Sequence, residues 1–272
     1  MFRDLQCGVR STALELVRKH AQRAAHHAVS EPVYVMPVRA IILAGGLGTR
    51  LRTVVSDRPK AMSEVGGRPF LELLLQQLRR HKVSAVTIAV GYGGDYIRHH
   101  FGSGTAFGID ISYADDGPEL LGTGGAVARA LSVLPGEDDP ILVLNGDTYL
   151  DYELRPFLRR LEGSETRLVL AVVRVDDAAR YGAVRLNDDG SVLAFEERGT
   201  PAPGLINAGL YCARPETWSR VVPTGRSLSL EREVLPHLVG RGLYAVEVTG
   251  LFIDIGVPAD YNRAQTLLGG RK

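Results

Sequence analysis

The residues best suited to chemistry cluster around glycine. Leu43-Ala-Gly-Gly-Leu-Gly-Thr-Arg-Leu51 carries glycines at 45, 46 and 48, and Arg58-Pro59-Lys60 follows closely. Without Cβ atoms, backbone N–H groups in such a loop can approach a polyphosphate. Arg50 can hold phosphate oxygens in pairs, and Lys60 supplies a second cation. The segment reads as a nucleoside triphosphate cradle. A dinucleotide fingerprint would need glycine where Leu51 stands, and a P-loop would need to end in Gly-Lys-Ser/Thr. A ligand-free glycine turn would require neither cation.

Two aspartates add metal chemistry. Asp147 stands in Asn145-Gly146-Asp147, just past an apolar run, and Asp254 lies between Ile253 and Ile255. A carboxylate among apolar residues is costly unless something pairs with it. Two of them meeting near phosphates would suit Mg²⁺, with water and phosphate oxygens filling the octahedron. The plain alternative for Asp254 is a strand-end cap or ion-pair partner. Between Asp115 and Gly125, the glycines at 122, 124 and 125 would let a flat base lie against backbone. A carboxylate there can accept from guanine N1–H and N2–H₂ together, donors that uracil and thymine lack. Asp116 is the first candidate, Asp115 and Glu119 are alternatives, and a solvated acidic turn is the plain reading.

The pattern around these residues alternates strand and helix. Val38–Ala44, Ala85–Val90, Ile109–Tyr113 and Ile141–Leu144 are short apolar runs, as buried parallel strands should be. Leu71, Leu74, Leu75 and Leu78 share one helical face; helices are also expected over Asp95–Phe101 and Ala126–Leu134. This is an α/β pattern: a doubly wound, mostly parallel, mixed sheet in three layers. Further on, strands are expected at Leu168–Val175, Ala183–Leu186, Val192–Phe195, Ile206–Cys212, Tyr244–Val248 and Phe252–Ile255. Helices are expected over Ser229–Val239 and from Pro258, with Tyr261, Ala264 and Leu268 on one face. With no linker between the halves, 36–150 and 151–272 should share one sheet. Residues 1–35 read as an appended extension, with a capping box at Thr12–Glu15.

Composition sets the outer limits. The 272 residues are 45% hydrophobic and 23% charged, enough for a sizeable core without disulfides. Lys plus Arg number 32 against 31 Asp plus Glu, a net charge of +1, which argues against a broad nucleic-acid-binding face. No apolar run reaches the ~18 residues that span a bilayer. Cys7 and Cys212 stand far apart with no metal-type spacing, so a reducing cytoplasm is expected. The adjacent pairs His26-His27 and His99-His100 read as surface residues, because neighbours on a helix do not share a face.

From about Val38 to Leu268 the chain resembles the sugar-1-phosphate nucleotidyltransferases, or NDP-sugar pyrophosphorylases. Leu51–Lys60, Leu121–Ala126, Leu144–Asp147, Gly204–Gly209 and Phe252–Gly256 together resemble the D-glycero-α-D-manno-heptose 1-phosphate guanylyltransferases. The resemblance implies a Rossmann-like fold, Mg²⁺ on Asp147 and Asp254, and an enzyme joining GTP to a heptose 1-phosphate for surface-polysaccharide biosynthesis. Arg50, Lys60 and Asp147 would be catalytic. Leu43, Ala44, Gly45, Gly46, Gly48, Thr49, Asp116, Gly122 and Thr123 would hold the nucleotide. Gly182, Glu197, Arg198, Asn207 and Gly209 would hold the sugar phosphate, although Arg198 stands where many relatives keep lysine. Partners would be small molecules, not nucleic acid or membrane, and homo-oligomerisation is left open. The alternatives are a mannose or other hexose 1-phosphate as substrate, another base, or a non-catalytic NDP-sugar sensor.

Overall fold

The computed structural model describes residues 37–270, apart from 52, 56, 118–120, 137, 197, 198 and 200. The expected extension 1–35, with its capping box and His26-His27, lies outside the described residues. The strands are β1 (Arg39–Leu43), β2 (Glu64–Val65), β3 (Arg68–Pro69), β4 (Ala85–Val90), β5 (Asp110–Asp115), β6 (Ile141–Asn145) and β7 (Thr148–Leu150). They continue with β8 (Leu168–Val175), β9 (Val184–Leu186), β10 (Val192–Phe195), β11 (Gly204–Ala213), β12 (Leu243–Glu247) and β13 (Phe252–Asp254). Helices are α1 (Phe70–Arg80), α2 (Gly94–Phe101), α3 (Gly122–Leu131), α4 (Arg155–Leu161), α5 (Pro215–Val221), α6 (Leu235–Leu238) and α7 (Pro258–Leu268).

Seven strands form one sheet in the order β12-β8-β11-β6-β1-β4-β5. Six run the same way; β11 alone is antiparallel to both neighbours. Strands from 36–150 and from 151–272 therefore build a single mixed sheet. Alternate strand residues face opposite sides. Ala40, Ile42, Leu142, Leu144, Val169 and Ala171 pack with α1, α2, α4 and α7. Ile41, Ile141, Val143, Leu168 and Leu170 pack with α3, α5 and α6. The result is three layers. Leu71, Leu74, Leu75 and Leu78 are all fully buried, each stabilising the fold by about 2 kcal/mol.

β4 lies on one side of β1 and β6 on the other, and both pair parallel to it. The connection reverses direction across the sheet here, opening a crevice beyond the strand ends. Leu43 pairs with Asn145, so the glycine loop and Asn145-Gly146-Asp147 leave the sheet side by side.

Several boundaries differ from the sequence expectation. Helix α3 starts at Gly122 rather than Ala126 and ends at Leu131, short of Leu134. Its glycine-rich first turn is held from outside, because the N–H groups of Gly124 and Gly125 donate to Leu228 O. The expected helix at Ser229–Val239 is a π-helical turn, Leu230–Val234, running into the short α6. Helices α4 and α5, absent from the expectation, each have proline in the first turn, where its missing N–H costs nothing. His99 and His100 are exposed, as expected.

Candidate functional site

The glycine loop and the segment after β6 line one cleft of about 200 Å³. Its walls include Leu43, Ala44, Gly46, Gly48, Thr49, Arg50, Lys60, Gly146, Asp147 and Gly256. Most of the expected nucleotide loop therefore borders the same space as both expected cations and one expected metal ligand. Gly48 has φ +61°, and a Cβ on it would come 3.0 Å from Lys60 Cβ, so both its left-handed backbone and its close approach favour glycine. Lys60 begins a single 3₁₀ turn, Lys60–Met62, fixed by Met62 N–H donating to Pro59 O at 2.8 Å.

The two aspartates meet. β7 and β13 pair antiparallel with Thr148 opposite Asp254, and Ile255 N–H donates to Asp147 O at 2.9 Å. Lys60 Nζ sits 2.5 Å from Asp147 Oδ2 and 3.8 Å from Asp254 Oδ1. Burial pushes the Asp254 carboxyl up, with Asp147 adding to the effect; Lys60, the Gly256 N–H and Arg180 oppose it. An ammonium already lies between the two acids, which marks the place as attractive to a cation. The donor set is two carboxylates, with no cluster of three or more His, Cys, Asp or Glu side chains among the described residues. That fits a hard divalent ion that completes its shell with water and substrate phosphate rather than with a protein cage.

Arg180 joins this cluster, and the sequence reading missed it. Its guanidinium lies 3.9 Å from Asp254 and 2.5 Å from Asp260, and it stacks over the Tyr181 ring. Tyr181 in turn packs edge-on against Phe252. The available signal was an arginine beside the singled-out Gly182, but only the fold brings it to residue 254. Gly182 has φ +84° and donates its N–H to Ala178 O. Glu197 and Arg198 lie outside the described residues.

At the end expected to read the base, the structure separates the neighbouring acids. Asp115 is 63% exposed on its side chain and paired with Arg98. Asp116 turns the other way, so that a Cβ on Gly45 would lie 2.8 Å from its Oδ2. Its Oδ1 is buried with no hydrogen-bond partner among the described residues. Burial, reinforced by Asp115, pushes its carboxyl up to about 6. Asp116 thus faces the glycine loop through Oδ2, while its buried Oδ1 is left without a donor among the described residues. Glu119, the other alternative, lies outside the described residues. Gly122 has φ +69°, and a Cβ on it would stand 2.6 Å from Leu228 O.

Asn207 and Gly209 sit in an irregularity of β11. Asn207 pairs with Val172 and Tyr211 with Leu170, so four steps on β11 oppose two on β8. The bulge carries Gly209, with φ +71°, against Asn145, whose Nδ2 would be 2.6 Å from an added Cβ. The expected sugar-side turn thus lies beside the strand end that presents Asp147. Gly209 N–H donates to Asn207 Oδ1 at 3.0 Å, and Asn207 Nδ2 donates to Tyr211 OH at 2.9 Å. Tyr211 OH donates to Glu231 at 3.3 Å, and Thr123 Oγ1 donates to the same carboxylate at 2.8 Å. Glu231 was read only as part of a helix; its π-helical turn, a feature common at functional sites, is not visible in local sequence.

Comparison with known proteins places the chain in a family. A D-glycero-alpha-D-manno-heptose 1-phosphate guanylyltransferase of Campylobacter jejuni is 35% identical over 224 residues, which is 82% of this chain and 97% of that protein. A mannose-1-phosphate guanylyltransferase of Mycobacterium tuberculosis is 34% identical over 230 residues, 83% of this chain but 63% of that longer protein. The crystal structure of HddC from Yersinia pseudotuberculosis complexed with GMP-PN superimposes with a TM-score of 0.72 at 32% identity, covering 85% of this chain and 99% of that one. Residues 39–269 match the family described as Nucleotidyl transferase, and the chain belongs to that family.

Proposed function

We propose that the protein is a guanylyltransferase that joins GTP to D-glycero-α-D-manno-heptose 1-phosphate, releasing pyrophosphate, with Mg²⁺ and in the cytoplasm. The observation that carries the reading is the meeting of Asp147, Asp254 and Lys60 at the mouth of the glycine loop. The near-complete coverage of a heptose guanylyltransferase, against about three-fifths of the mannose enzyme, favours the heptose. The unpartnered carboxylate of Asp116 supports guanine as the base.

In this reading a sugar phosphate oxygen attacks the α-phosphorus of GTP. The bond from that phosphorus to the oxygen bridging towards the β-phosphate breaks, and pyrophosphate leaves. The nucleophile has a second pKa near 6 and is already ionised at neutral pH, so no general base is needed. Alignment and charge neutralisation remain. Lys60 faces the α-phosphate, Arg50 holds the departing pyrophosphate, and Arg180 holds Asp254 in place. Asp147 and Asp254 would hold Mg²⁺, which supplies positive charge to the phosphoryl oxygens. Gly182 and the Asn207–Gly209 turn, with Glu197 and Arg198, would receive the sugar phosphate.

A matrix of nucleoside triphosphates against sugar 1-phosphates, read by pyrophosphate release, tests this. GTP with the manno-heptose 1-phosphate should give the highest kcat/KM. A preference for mannose 1-phosphate would move the assignment to the mannose enzymes. Turnover confined to UTP or dTTP would remove guanine. A non-catalytic sensor would show none, although it would have no need to keep Arg50, Lys60 and both aspartates together.

A further inference from the structure

We propose that Glu231 is a positioning residue that fixes the direction of a hydrogen-bond relay and so holds the Asn207–Gly209 turn in its sugar-receiving form. The inference rests on reading that turn as the sugar side of the site. Three hydroxyls converge on the Glu231 carboxylate. Thr123 Oγ1 and Ser229 Oγ donate to Oε2 at 2.8 and 3.2 Å, and Tyr211 OH donates to Oε1 at 3.3 Å. Each hydroxyl also accepts from nitrogen. Leu230 N–H donates to Thr123 Oγ1 at 2.8 Å, Arg232 N–H to Ser229 Oγ at 3.2 Å, and Asn207 Nδ2 to Tyr211 OH at 2.9 Å.

The first two hydroxyls are locked by backbone N–H groups, which can only donate. The third accepts from a side-chain amide instead, whose orientation is set from both ends, by Glu231 through Tyr211 and by the Gly209 N–H. A carboxylate accepts on both oxygens. It therefore draws the Tyr211 proton inward, leaving the phenol oxygen to accept from Asn207 Nδ2. That points Asn207 Oδ1 at Gly209 N–H, which it accepts at 3.0 Å. Tyr211 is fully buried, so water does not relieve a reversed bond.

Glu231→Gln tests the direction of the relay. The locked hydroxyls of Thr123 and Ser229 require the glutamine oxygen on their side, so its NH₂ must face Tyr211. Either the phenol proton then loses its acceptor, or it turns to Asn207 and flips that amide. A flipped amide sets NH₂ against Gly209 N–H, donor against donor. The expected result is a KM for the sugar 1-phosphate raised roughly tenfold, about 1.4 kcal/mol, with KM for GTP within about twofold. Tyr211→Phe in the Glu231→Gln background removes the relay and lets Gly209 N–H set the amide again. The double variant should therefore recover most of the sugar KM. In ¹⁵N spectra of the unliganded protein, the Asn207 side-chain amide should shift in Glu231→Gln and return towards its original position in the double variant. An active wild type whose Glu231→Gln variant raises both KM values alike or neither, or whose double variant is worse than Glu231→Gln alone, overturns the inference. A wild type without transferase activity overturns the proposed function instead, and the Asn207 signals still decide the relay.

Discussion

Replacing Asp116 with asparagine should stabilise the protein and weaken its grip on GTP. The carboxyl is raised from its ordinary 3.8 to about 6, chiefly by burial and secondarily by Asp115. A carboxyl with a raised folded-state value penalises the fold once it ionises. The penalty is absent below pH 4, grows as pH rises towards 6, and is complete above it. Displacement to about 6 corresponds to at most about 3 kcal/mol. Because part of the group reaches solvent, the expected gain is nearer 1 kcal/mol, or roughly 2–4 °C in Tm at pH 7.5. That gain should vanish when melting is repeated at pH 4. Function should move the other way. An ionised Asp116 can accept from guanine N1–H and N2–H₂, and bonds to a charged group contribute about 1.5–3 kcal/mol each. Asp116→Asn should lower kcat/KM for GTP by ten- to a hundredfold and narrow the preference for GTP over inosine triphosphate, which lacks the 2-amino group. In the wild type, about nine-tenths of the carboxyl is protonated at pH 5, adding a tenfold fall in nucleotide affinity. The variant should lack this component, which separates it from titration of the substrate phosphates. A variant that melts lower at neutral pH, or retains full kcat/KM for GTP, refutes the assignment.

Three further outcomes follow from the site. Lys60→Met should lower kcat about a hundredfold or more, since it removes charge at the α-phosphate; yet it should tighten Mn²⁺ binding to the unliganded protein, measured calorimetrically, because Asp147 and Asp254 lose the ammonium between them. Asp254→Asn should raise the Mg²⁺ concentration needed for half-maximal turnover and lower kcat, read by pyrophosphate release across a Mg²⁺ titration. Gly122→Ala should cost at least about 2 kcal/mol in a denaturant melt, since a Cβ at φ +69° would stand 2.6 Å from Leu228 O.

Much of the fold was legible because its signals are local. The strands at Ala85–Val90, Leu168–Val175 and Val192–Phe195 stand where the apolar runs put them. The leucines of α1 are buried at the spacing that announced them. The candidate phosphate loop was legible for the same reason: three missing Cβ atoms and two cations within one short segment mark it, and it does line a cleft. The sequence put Asp116 ahead of Asp115 but offered no structural reason to separate two chemically identical neighbours. What separates them is the alternation of an extended backbone. One side chain points outward to Arg98, while the next turns inward against Gly45. Arg180 and Glu231 were illegible for a deeper reason. Their placement depends on contacts with residues distant in sequence, Asp254 and Asp260 for Arg180, Thr123 and Tyr211 for Glu231, and no spacing rule encodes these.

The one reversed strand explains how the proposed sugar side of the site is built. β1, β4, β5 and β6 all run towards the same edge of the sheet, so their following loops can supply only residues that come after a strand end. β11 runs the other way. Its Leu210 pairs with Leu144 and its Ala213 with Ile141, so its earlier residues project past the end of β6. The bulge at Asn207–Tyr211 falls at this point, opposite Asn145 and two residues from Asp147. Antiparallel insertion thus brings the beginning of a strand to an edge otherwise made of strand ends. It places the left-handed Gly209 turn, built from the start of a strand rather than the loop after one, beside the Asn145–Asp147 segment.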